Sequence, residues 1–89
     1  MIRRDIVLTN RLGLHARAAS KLVQAASEYN CQVWLERDGR RVNAKSIMGV
    51  LLLAAPVGTE LVLETTGEDE DAAMARLVNL VESRFGEAE

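Results

Sequence analysis

At 89 residues, 48% hydrophobic and 27% charged, the chain reads as one small globular domain over residues 1–89, too short for a second core and too apolar for a disordered segment. Its three aromatic residues, Tyr29, Trp34 and Phe85, are too few for stacked-base platforms, which argues against binding nucleic acid. The net charge of −2 hides an asymmetry: residues 1–45 hold nine Lys or Arg against four Asp or Glu, and residues 46–89 hold two against nine, so the first half is expected to face something negative.

The longest uncharged run, Ile47 to Val57, spans eleven residues and is broken by Gly49 and Pro56, too short to insert in a membrane. The opening Met-Ile-Arg-Arg-Asp lacks the apolar stretch and cleavage site of a signal peptide, so a cytoplasmic protein is expected. The single cysteine, Cys31, reads as a buried packing residue.

In chain order, Ile2 to Leu8 is predicted as a strand, and Thr9 to Leu14 as a loop broken by Gly13. From Ala16 the period changes: Ala19, Leu22, Val23 and Ala26 fall at helical spacing, with Arg17, Lys21, Gln24 and Glu28 as the polar stripe. Asn30 is a stop signal, and Gln32 to Arg37 alternates like a strand, with Val33 and Leu35 on one face and Trp34 and Glu36 on the other. Asp38-Gly39 tolerates the positive φ of a type I′ turn, giving a hairpin to Arg40–Ala44. Ser46 can cap a short helix from Ile47 to about Ala54, closed by Pro56 and Gly58. Glu60 to Thr66 is the last strand. The acidic run Glu68-Asp69-Glu70-Asp71 suits a solvated helix start, and Met74, Leu77, Val78 and Val81 mark the final helix. The order βαββαβα, with one apolar stripe per helix, predicts an α+β, open-faced two-layer sandwich: three helices on one face of a four-stranded antiparallel sheet.

The only histidine, His15, falls at the N-cap of the first helix, with Ala16, Arg17 and Ala18 as its first turn. Free amides and the helix dipole make that spot an anion site, and the Arg17 fork suits phosphate oxygens. A neutral imidazole beside such a cradle could attack phosphorus and hold the phosphoryl group for a partner. The competing reading is a capping or core histidine, and spacing alone leaves both open. No metal site is expected, because one His and one Cys cannot supply a ligand set, and no hydrolase triad can be assembled. No cofactor is implied.

"GLHARAASKL" and "VNAKSIMGVLLLAA", within that element order, resemble HPr, the histidine-containing phosphocarrier family of the bacterial phosphoenolpyruvate-dependent phosphotransferase system, over nearly the whole chain. The resemblance implies that His15 accepts a phosphoryl group on Nδ1 from enzyme I, with Arg17 assisting. It further implies transfer to IIA domains of sugar permeases, or to a nitrogen-branch IIA, since the family includes the regulatory homologue NPr. Ser46 matches the serine modified by HPr kinase/phosphorylase in bacteria that possess it. Ala18 stands where many members have proline; alanine restores an N–H, so the anion cradle survives.

The second motif is apolar almost all round a helix of barely two turns, more than one core stripe needs. Ile47, Met48 and Leu51 are therefore expected to form an exposed docking patch, with Arg17, Lys21 and Lys45 as its basic rim, which resembles the family's partner surface. A wholly buried helix is the alternative. The expected molecule is a monomeric relay protein rather than a stand-alone enzyme; the competing class is a regulatory binding module of similar architecture that does not need His15.

Overall fold

The computed structural model describes residues 1–89. Four strands, β1 (Ile2–Val7), β2 (Gln32–Arg37), β3 (Arg40–Asn43) and β4 (Glu60–Thr66), alternate with three helices, α1 (Ala16–Ser27), α2 (Ile47–Leu52) and α3 (Glu70–Glu82), followed by one 3₁₀ turn at Arg84–Gly86. The strands form one sheet in the order β1-β4-β2-β3, antiparallel at every pairing. The expected sandwich is therefore present, with each helix stripe facing the sheet. Helix ends fall slightly short of the sequence expectation: α1 stops at Ser27, before Asn30, and α2 at Leu52.

A single core cluster joins the layers. Val33 and Leu35 from β2 and Leu61 and Leu63 from β4 meet Leu22 and Ala26 of α1 and Met74, Leu77 and Val81 of α3. The stripe of α1 is wider than periodicity indicated, since Ala18 and Ala25 are also buried while Val23 is only partly so. Small residues at these positions let α1 lie close to its neighbours. Cys31 is buried in the same cluster. On the open sheet face, Glu64 is covered by Arg3 (2.9 Å) and Arg41 (2.8 Å), and the Arg41 guanidinium lies 4.6 Å from the centre of the Trp34 ring. The charges there satisfy one another.

Local chemistry explains the turns. Asp38 and Gly39 both take positive φ, 49° and 83°, as the hairpin requires. The Ser46 hydroxyl accepts the Gly49 N–H at 3.2 Å, so it caps α2 as expected. Within the acidic run Glu68 and Asp71 are exposed at the start of α3, as expected, whereas Asp69 and Glu70 form specific bonds. The Asp69 carboxylate bonds no amide of its own helix and instead accepts the N–H groups of Asn30 and Cys31, each at 2.8 Å, pinning the start of β2 to the start of α3. These bonds, that from Asn30 foremost, hold its carboxyl below the usual carboxylate range. Glu70 accepts the Gly67 N–H at 3.0 Å and binds the N-terminal ammonium at 2.9 Å; both, the backbone bond first, lower its pKa in turn. Alternation patterns cannot reveal such cross-links, because both partners sit at loop ends.

Candidate phosphate-binding site

The loop before α1 is fixed from below. Gly13 has φ of 65°, and a Cβ there would lie 2.3 Å from the Ala55 carbonyl oxygen, so only glycine fits. That carbonyl accepts the Leu14 N–H at 2.9 Å. Leu14 is buried, which places His15 at the N-cap with an extended backbone (φ −74°, ψ 176°). The first hydrogen bond of α1 runs from the Ala19 N–H to the His15 carbonyl at 2.8 Å. The amides of Ala16, Arg17 and Ala18 therefore stay free for an anion. Arg17 is exposed and forms no ion pair, so its guanidinium is available beside them.

His15 is not a core residue, its side chain being 28% exposed, and although it holds the N-cap position that side chain caps nothing. Instead Nε2 lies 2.6 Å from Glu87 Oε2, a residue far along the chain that the sequence reading did not single out. Asn10, fully buried, donates from Nδ2 to the Gly13 carbonyl at 2.8 Å and to Glu87 Oε1 at 3.0 Å; the two acceptors fix the orientation of its amide, leaving Oδ1 without a partner. The Asn10 bond, followed by the His15 contact, holds the Glu87 carboxyl below the ordinary glutamate range.

The tail reaches this position because the chain reverses after α3 through three left-handed residues: Arg84 (58°), Phe85 (56°) and Gly86 (77°). Such φ values are uncommon outside glycine, and here the Phe85 ring, 1% exposed in the core, secures the turn. Lys21 Nζ donates to the Phe85 carbonyl at 2.6 Å. Beyond it, Arg11 holds Glu89 twice, backbone N–H to carbonyl at 2.9 Å and Nε to carboxylate at 2.8 Å. Between tail and helix lies an open 720 Å³ cleft bordered by Arg11, Leu12, His15, Arg17 and Glu87. Arg11 is thus a second guanidinium at the site, which the motif did not mark.

The α2 surface agrees in part with expectation. Ile47, Met48 and Leu51 are exposed, Met48 at 68%, and Leu52 joins them, so the wholly buried alternative fails. The basic rim is reduced: Lys45 Nζ donates to the Tyr29 carbonyl at 2.6 Å and Lys21 to that of Phe85. Both ammonium groups satisfy main-chain carbonyls, leaving Arg17 as the unpaired cation of the three expected there.

A family model described as "PTS HPr component phosphorylation site" matches residues 2–83. Among curated proteins, the chain is 53% identical to the phosphocarrier protein HPr of Cupriavidus necator over 89 residues, with all of both chains covered. It is 48% identical, again end to end, to that of Neisseria meningitidis serogroup A. Among solved structures, HPr-C-His from Thermoanaerobacter tengcongensis superposes with a TM-score of 0.97 at 45% identity, covering both chains fully.

Proposed function

Since this chain belongs to the HPr family of phosphotransferase-system phosphocarriers, we propose that His15 is the group that carries the phosphoryl, receiving it from phospho-enzyme I and yielding it to a IIA domain. One observation carries this reading: a partly exposed imidazole, bonded through Nε2 to Glu87, borders the same cleft as Ala16 and the unpaired Arg17 at the start of α1, where the first-turn amides have no helical acceptor. The Nδ1 lone pair forms the new N–P bond while the bond from phosphorus to the donor enzyme breaks, its electron pair leaving with the donor. Backbone amides of Ala16, Arg17 and Ala18 and the Arg17 guanidinium offset charge on the equatorial oxygens. Positioning and charge stabilisation supply the catalysis.

Incubation with enzyme I and labelled phosphoenolpyruvate tests the reading. One acid-labile, base-stable phosphoryl group per chain is expected; absence of label overturns it and favours a binding module that does not use His15.

The exposed face of Ile47, Met48, Leu51 and Leu52 supplies an apolar contact for both partners. A Met48→Asp chain should keep its fold, because the side chain is exposed, and should lose about tenfold or more in kcat/KM with enzyme I, a loss of about 1.4 kcal/mol in transition-state binding. Unchanged transfer would remove the patch from the account.

Ser46, exposed at the α2 N-cap beside this face, is the proposed regulatory position where an HPr kinase is present. A phosphate there is compatible with the helix and sets negative charge against the docking partner. Ser46→Asp is expected to slow the enzyme I reaction, measured by initial rates of label uptake; an unaltered rate would contradict electrostatic inhibition.

A further inference from the structure

Glu87 is the one protein group bonded to the His15 ring. We infer that Glu87 is a positioning residue for phosphoryl transfer: held by Asn10, its carboxylate accepts the Nε2–H of His15, fixes the ring, and keeps the lone pair on Nδ1 for the incoming phosphorus. The inference rests on His15 being the phosphoryl acceptor.

Three observations support it. First, the 2.6 Å contact is that of a charge-assisted bond, and an ionised carboxylate can only accept, so the shared proton belongs to Nε2. A neutral imidazole has one N–H, and Nδ1 is then the nucleophile. Second, the carboxylate is itself oriented. Its other oxygen receives the amide of Asn10, which is clamped to the Gly13 carbonyl in the loop that delivers His15. Nucleophile and orienting group thus share one rigid support. Third, Glu87 is brought there by the left-handed turn at Arg84 to Gly86 and the buried Phe85, a geometry that fixes the carboxylate against the ring rather than leaving it in solvent.

The chemistry balances without moving a proton. When Nδ1 bonds to phosphorus and the donor bond breaks, Nε2 keeps its hydrogen and the ring becomes a phosphorylated imidazolium. The Glu87 charge at 2.6 Å offsets that positive charge as it develops. On transfer to the next acceptor the N–P bond breaks, its electrons return to Nδ1, and the neutral ring is restored in the same tautomer.

The test uses the full chain with ¹⁵N-labelled histidine. In the wild type, ring-nitrogen correlation spectra are expected to show Nε2 protonated, with an Nε2–H signal protected from exchange. In Glu87→Ala that proton should exchange about tenfold faster or more, and the rate of transfer from phospho-enzyme I should fall about tenfold in kcat with KM unchanged, the scale on which groups orienting an imidazole through its second nitrogen act. Glu87→Gln, which keeps a neutral acceptor, should lie between. Glu28→Ala, which breaks only the exposed pair with Arg76 at the opposite end of α1 from His15, should leave kcat within about twofold, as for an exposed ion pair remote from the ring.

A wild-type ring protonated on Nδ1, or full kcat in Glu87→Ala, overturns the inference while the carrier function stands. An equal loss in Glu28→Ala also overturns it, by assigning the effect to a general response to lost surface ion pairs. If the wild type takes no label, the carrier reading fails, and the ring spectra still decide whether Glu87 holds Nε2–H.

Discussion

His15→Ala is expected to take up no acid-labile label from enzyme I and phosphoenolpyruvate while remaining folded. The loss should be complete because no second histidine exists in the sequence, and nothing else at the cleft combines a neutral lone pair with the helix amides. The guanidinium groups of Arg11 and Arg17 offer donors and no acceptor lone pair, and Glu87 is turned toward the ring. The fold should survive because the imidazole is partly exposed and caps nothing. Its removal costs one bond to Glu87, and the stability change should stay within about 1 kcal/mol, the range for positions outside the core. Thermal or urea unfolding beside the label assay checks both halves. A destabilisation of several kcal/mol would assign His15 a structural role that its surroundings do not indicate.

The second large effect belongs to Phe85. Phe85→Ala should destabilise the chain by about 3–5 kcal/mol, the cost of emptying a fully buried aromatic site, measured by urea unfolding. Against the typical 5–15 kcal/mol of a small domain this is a major loss. It should also reach the cleft at His15. The ring secures a turn in which Arg84 and Phe85 hold φ values of 58° and 56°, conformations that are maintained only when surrounding contacts overdetermine them. Without it the Lys21 bond to the Phe85 carbonyl and the Glu87 contacts lose their anchor. Phosphoryl transfer by the remaining folded molecules should therefore slow to about the level of Glu87→Ala. Normal transfer in that variant would show that the tail keeps its place without the ring.

These two residues also mark what could be read from sequence. The placement of His15 was legible because a helical period begins at Ala16 and a glycine precedes it, so the N-cap position follows from spacing. The turn at Asp38-Gly39, the Ser46 cap and the excess apolar surface of α2 were legible for similar local reasons. The tail was not. Phe85-Gly86-Glu87-Ala88-Glu89 has no period, and finding Glu87 at the ring requires two successive non-glycine residues in a left-handed conformation that propensity disfavours. A lone phenylalanine beyond the last helix, followed by glycine, was the available signal of a segment folding back. Asn10 likewise looks like an ordinary turn residue, and its burial follows only once the tail is in place. Charge alone places Lys21 and Lys45 on a basic rim, but their long stems reach main-chain carbonyls, a choice made by tertiary distance and not by composition.

The most direct measurement is the ring position of the phosphoryl group itself. After reaction with enzyme I and phosphoenolpyruvate, phosphorus–nitrogen correlation on the ¹⁵N-histidine-labelled chain should show a single bond from phosphorus to Nδ1 of His15, with Nε2 still protonated. Phosphorus found on Nε2, or on any other residue, would contradict the account.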